Sequence, residues 1–260
     1  MIGHPILQLQ LQLLLFFLLI GSVRAAVFYN WTELPENIFS YRAAHTTTLI
    51  YPGGLDIPLL LLAGGNADHA GLVTAALLDP STASWTPVAS MNFDRRLHVG
   101  VALGDGSTVL VAGGEASDNT VLASTEVFDL ATGWTVVPDM SSSRACFCAV
   151  QTADGKAFVI GGTPDSGGAL ASTEVFDPSA GTWSDGGSLV TARYQHTATL
   201  LLDGNVLVTG GDTGISASTS TAELYDSSAG TWTPLASAMS AGRRLHTAVL
   251  LDDGTVLIAG

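Results

Sequence analysis

Lysine is almost missing from this chain: Lys156 is the only one among 260 residues. Nine basic residues face 23 acidic ones, for a net charge of −14, and no basic run occurs. Such a surface repels phosphate backbones and anionic lipid, so no nucleic-acid partner is expected. What it allows is an acidic, soluble exterior with a weak pull on cations or basic partners. Cysteine is nearly as scarce, with only Cys146 and Cys148, which excludes a disulfide scaffold. Charged residues make up 12% of the chain and hydrophobic ones 47%, so a large core can be buried and disorder is disfavoured. No nucleophile–base pair, zinc motif or phosphate-binding loop is present. The 29 glycines follow no collagen-like period and sit at punctuation points between short apolar runs.

One longer apolar run stands apart, from Ile6 to Ile20, interrupted by Gln8, Gln10 and Gln12. It is short for a bilayer span, and Val23 and Ala25 supply the small or apolar residues that suit cleavage before Ala26. Residues 1–25 are therefore expected to be a signal peptide and 26–260 the mature domain, secreted or extracellular. The run has no Lys or Arg before it, so a retained membrane anchor is the alternative. Asn30-Trp31-Thr32 offers one glycosylation acceptor.

What the chain has in abundance is repetition. LLLLAGG (59–65), TVLVAGG (108–114), KAFVIGG (156–162) and NVLVTGG (205–211) recur every 48 or 49 residues, and TVLIAG starts a fifth copy at Thr255. TAALLD (74–79), STEVFD (124–129 and 172–177) and TAELYD (221–226) fall between them. Trp85, Trp134, Trp183 and Trp232 follow at a constant spacing of 49. Each unit opens on Arg-x-x-His: Arg42/His45, Arg95/His98, Arg193/His196 and Arg243/His246, with Arg144 followed by Phe147 in the third. Each unit reads as four strands. Strand a follows Arg-x-x-His and leads to an Asp-Gly turn; strand b ends in Gly-Gly; strand c carries Glu-Val-Phe-Asp; strand d holds the tryptophan. The expected fold is all-β, a propeller of four-stranded antiparallel blades, with four complete blades and part of a fifth.

This pattern resembles the kelch repeat, and its Arg-x-x-His-Thr-Ala-Thr-Leu flavour is similar to kelch repeats of extracellular and galactose-oxidase-like proteins. The resemblance covers Trp31 to Gly260 and implies six or seven blades. Trp31, 11 residues before Arg42, reads as a strand d without its own a, b and c strands, able to complete a final blade. Since the sequence stops within strand b of its fifth unit, a fragment or an incomplete gene model is expected.

Residues repeated in every unit read as structure. The tryptophans are expected to fill the space between sheets, and the arginines to form blade-to-blade ion pairs with the Glu or Asp of strand c. Histidines spread around a ring cannot converge on one metal. The loops between strands b and c vary most and emerge on the same face as the d–a linkers, so binding is expected there. The candidates on that face are Asp68, His69, Asp118, Asn119, Asp165 and Asp212. No dense acidic calcium loop is present, and no cofactor or metal is expected.

The leading expectation is a non-catalytic secreted or luminal propeller that binds a protein or glycan through its b–c loop face. The alternative rests on resemblance. Phe147-Cys148 before Asp154-Gly155 looks like the cysteine of copper-radical oxidases, which is thioether-linked to a tyrosine one blade on. Tyr194 resembles that tyrosine, with one fewer residue after Arg193. The resemblance then implies copper and the oxidation of alcohols or aldehydes.

Overall fold

The computed structural model describes residues 42–54, 58–67, 70–214 and 218–260. The segment 1–25, Asn30, Trp31, Asp68 and His69 lie outside the described residues.

Four antiparallel four-stranded sheets follow one another, each with its strands in sequence order. Blade one is Thr46–Ile50, Leu59–Ala63, Ala75–Asp79 and Ser84–Val88. Blade two is Val99–Ala102, Val109–Ala112, Thr125–Asp129 and Gly133–Val137. Blade three is Cys148–Gln151, Ala157–Ile160, Ser172–Asp177 and Thr182–Ser188. Blade four is Thr197–Leu200, Val206–Thr209, Ala222–Asp226 and Thr231–Pro234. Thr247–Leu250 and Val256–Ala259 pair as strands a and b of a fifth unit. Among the described residues the only helical element is a 3-10 turn at Pro52–Gly54. Strand a of each unit lies against strand a of the next, which puts strand a at the axis and strand d at the rim.

The core lies between the blades. Strand b is buried on both faces, and its alternation assigns each face to a different neighbour. Val109 and Val111 pack with Ile50, Leu61 and Leu77 of blade one, while Leu110 and Ala112 pack with Ala157 and Val159 of blade three. Phe158 and Ile160 then face Val206 and Val208 of blade four. This is why strand b reads as an unbroken apolar run. The tryptophans take equivalent places, opposite Leu78, Phe128, Phe176 and Tyr225 in the c–d ladders. The indoles of blades two to four face backwards: Trp134 joins the blade one–two cluster and donates Nε1–H to the Ala89 carbonyl at 2.7 Å, Trp183 donates likewise to Pro138 at 2.9 Å, and Trp232 packs with Phe158 of blade three.

The a–b turns close as the Asp-Gly signal implies. In blade four Gly204 N donates to Leu201 O and Leu201 N to Asn205 O, with Gly204 at a φ of 85° that favours glycine. The aspartate at the end of strand c also makes a turn: Asp129 Oδ1 accepts from Ala131 and Thr132, and Asp177 Oδ1 from Ser179 and Ala180. That corrects the expectation that these aspartates pair with the arginines; only the glutamates do.

Candidate functional site

The d–a linkers and the b–c loops meet on one face, and the arginine of each unit makes the joint. Arg95 N donates to Leu72 O, and Arg95 O accepts from Gly65 N at 2.8 Å, both in blade one. Its side chain enters blade two: Nη1 donates to Gly113 O at 2.6 Å and Nη2 to Glu126 Oε1 at 3.1 Å. Glu126 is completed by the backbone N–H groups of Asn92 and Phe93. Arg144–Glu174 and Arg193–Glu223 repeat the arrangement at 2.6 and 2.7 Å, all fully buried or nearly so. The ion pair thus lies inside the blade the arginine introduces, and the arginine's backbone does the crossing. A carbonyl, a carboxylate and several N–H groups converge here, which is the pairing a buried guanidinium requires. Close approach explains Gly-Gly: at Gly113, with φ of 62°, a Cβ would stand 2.5 Å from Arg144 O. Arg42 reaches Gly64 O and Thr74 instead, with Ala76 at the glutamate's place, and burial lowers its pKa to about 10. Arg243 bonds Gly260 O.

The histidines link one blade to the next. His98 Nε2 hydrogen-bonds Thr46 Oγ1 at 3.0 Å, and His246 Nε2 bonds Thr197 Oγ1 at 3.0 Å. Burial, helped by the neighbouring arginines, lowers all of their pKa values; His196 falls to about 3 and His45 to about 4. They are neutral struts. Phe147 now has a reason. Its partner at the start of the preceding strand a is Val99 in place of threonine, and the two share one apolar cluster. Histidine–threonine has been exchanged for phenylalanine–valine as a pair, a coupling across 48 residues that the sequence does not announce.

Four of the predicted binding residues lie in described b–c loops, and each braces the face. Asp118 Oδ1 accepts from Thr120 N, and Asn119, at φ 67°, accepts from Arg96, which also pairs with Glu115 at 2.9 Å. Asp165 Oδ1 accepts from Val121 N of the preceding blade's loop. Asp212 caps Gly214 N and pairs with Arg244 of the next unit at 2.5 Å. Asp94 receives Ser117 across another boundary.

Around the axis the face carries a feature that sequence reasoning missed. Ala44, Leu97, Cys146, Gln195 and Leu245 occupy the third position of Arg-x-x-His, and all have φ between 53° and 55°. Leu97 N donates to Ala44 O, Cys146 N to Leu97 O, Gln195 N to Cys146 O and Leu245 N to Gln195 O, at 2.8 to 3.1 Å. The only sequence signal is the fixed Arg-to-His spacing.

This ladder also separates the two cysteines. Cys146 turns in the left-handed region and strand a begins only at Cys148, so the two do not share a strand face. Both thiols are free. Cys148 Sγ donates to His196 O at 2.7 Å, and burial pushes its pKa up to about 12. Tyr194 sits one blade on, its backbone bridged to Asp212. Among the described residues no three His, Cys, Asp or Glu side chains converge to hold a metal.

The family model described as the kelch motif matches residues 144–189 and 193–239. No curated protein matches the chain in sequence. In fold it is similar to the solved structure of YjhT, with a TM-score of 0.69 at 16% identity, over 88% of this chain and 80% of that one. Two successive units thus carry the kelch motif, and the chain as a whole shares the propeller blade fold of that structure.

Proposed function

We propose that the chain is a non-catalytic, secreted or luminal binding module that takes a protein or glycan on its b–c loop face. Kelch repeats commonly mediate protein binding, and the fold supports a role of that kind. One observation carries the choice of face: loops of neighbouring blades are hydrogen-bonded to one another, through Val121 to Asp165 and Arg244 to Asp212. Variable loops braced in this way lose little conformational freedom on binding, so contact energy is not offset by ordering. The exposed carboxylates and a net charge of −14 favour partners that bring positive charge.

The full chain is to be screened against extracellular proteins and glycans, and each ligand retested on the Asp118→Ala, Asn119→Ala and Asp165→Ala variants. Binding should fall in these variants while the urea midpoint changes little. Binding that survives them and is lost on substitution of rim residues such as Thr135 and Ser184 overturns the choice of face. Hydrogen peroxide formed from dioxygen as the copper-loaded chain oxidises an alcohol to its aldehyde favours the oxidase alternative.

A further inference from the structure

Cys148 and His196 break the repeat together. In the blade one–two and blade four–five joints, a threonine at the start of strand a meets Nε2 of the next unit's histidine, as Thr46 meets His98 and Thr197 meets His246. In blade two that threonine is Val99, and the following histidine has become Phe147, so both polar groups are gone together. In blade three the threonine has become Cys148, yet the histidine stays, as His196. His196 is 4% exposed, and its Nε2 has no hydrogen-bond partner, while the Ile160 carbonyl faces the ring. Its counterparts His98 and His246 bond a threonine hydroxyl through that nitrogen. A buried imidazole nitrogen left unanswered is destabilising, and threonine at position 148 would have answered it. Cys148 Sγ lies against the same residue, 2.7 Å from the His196 carbonyl.

We propose that Cys148 Sγ and the His196 imidazole form a two-donor site for a soft closed-shell cation of the Cu(I) class, clamping blade three to blade four. Thiolate sulfur and neutral imidazole are the donors such ions select. With no third His, Cys, Asp or Glu converging among the described residues, the set falls short of the four donors of structural zinc and suits an ion content with two. Burial keeps His196 neutral, with a lone pair free to ligate, and keeps the Cys148 thiol protonated at neutral pH. Binding therefore expels one proton from sulfur as the metal–sulfur bond forms, and no electron is transferred. The site lies at the start of strand a, just behind the axial ladder, and uses none of the b–c loop residues.

The test is anaerobic titration of the full chain with Cu(I) held by a chromophoric chelator, following thiolate-to-copper absorption in the ultraviolet together with thermal unfolding. One ion per chain should bind, raising the unfolding temperature, because the ion joins two blades only in the folded state. Cys148→Thr, which restores the threonine–histidine pair and so keeps the fold, should weaken Cu(I) binding by about tenfold or more, since losing even an outer-shell partner acts on that scale. His196→Phe should do the same, while Cys146→Ser should leave binding and the thermal shift intact. Equal affinity in Cys148→Thr, or loss of binding in Cys146→Ser alone, overturns the assignment. So does an unfolding temperature that Cu(I) does not raise.

Discussion

The buried histidines make acid the natural perturbant, and His196 gives the cleanest measurement. Its pKa falls from 6.5 in the unfolded chain to about 3 in the folded one, chiefly through burial and then through Arg193 and His246. A depressed folded pKa on a base means that the unfolded state takes up the proton first as pH falls. The stability contributed by neutral His196 is present above pH 6.5 and is lost progressively from there down to about pH 3. Between pH 7 and pH 5 linkage gives a loss of about 2 kcal/mol from this one residue. The variant to compare is Cys148→Val with His196→Phe, which copies the Val99–Phe147 pair already present one blade earlier. Urea unfolding in metal-free buffer at both pH values then isolates the effect, because Cys148 stays protonated throughout and every other titrating group is shared. The wild type should lose about 2 kcal/mol more than the double variant over that interval. Equal losses in the two proteins would refute a neutral, desolvated His196.

Other outcomes follow from the joints. Arg144→Ala leaves Glu174 buried with its charge unmatched and should cost about 3–5 kcal/mol in urea unfolding; Arg243→Ala, which removes a bond to a single carbonyl, should cost under about 1 kcal/mol. Gly113→Ala forces a side chain to within 2.5 Å of Arg144 O at a φ of 62°, and should lower stability by about 1–3 kcal/mol or prevent folding. Asp165→Ala should leave stability within about 0.5 kcal/mol while hydrogen exchange at the Val121 amide speeds up, since that amide loses its acceptor.

The periodic part of the fold was legible because each repeated residue answers a local demand. Gly-Gly permits the left-handed turn beside the next arginine, Asp-Gly closes the a–b turn, and an unbroken apolar strand b marks a strand buried on both faces. The Arg–Glu pairs were legible as buried charges in need of partners, although which blade each arginine serves depends on where its linker crosses. The pairing of Phe147 with Val99 was not legible, because it joins residues of different blades and neither departs from an ordinary strand pattern alone. The left-handed turn at Cys146 was not legible for a related reason: backbone handedness is invisible when the residue is Ala, Leu, Cys or Gln. The loop aspartates were placed on the correct elements, but their hydrogen bonds are set by neighbouring loops whose lengths differ from unit to unit.

The axial ladder has a consequence for how such a chain can grow. Each unit offers one N–H toward the unit before it and one C=O toward the unit after it, at the same place and in the same sense. The backbone of the joint is therefore directional, like a monomer with a head and a tail, and at the level of the main chain any two successive copies fit. Duplicating a unit adds one donor and one acceptor and leaves every existing joint intact. The number of units can change during evolution while the grammar of the joint does not. What varies freely is the loop each copy carries, so a propeller of this kind can gain new surfaces by copying blades before any single residue is changed.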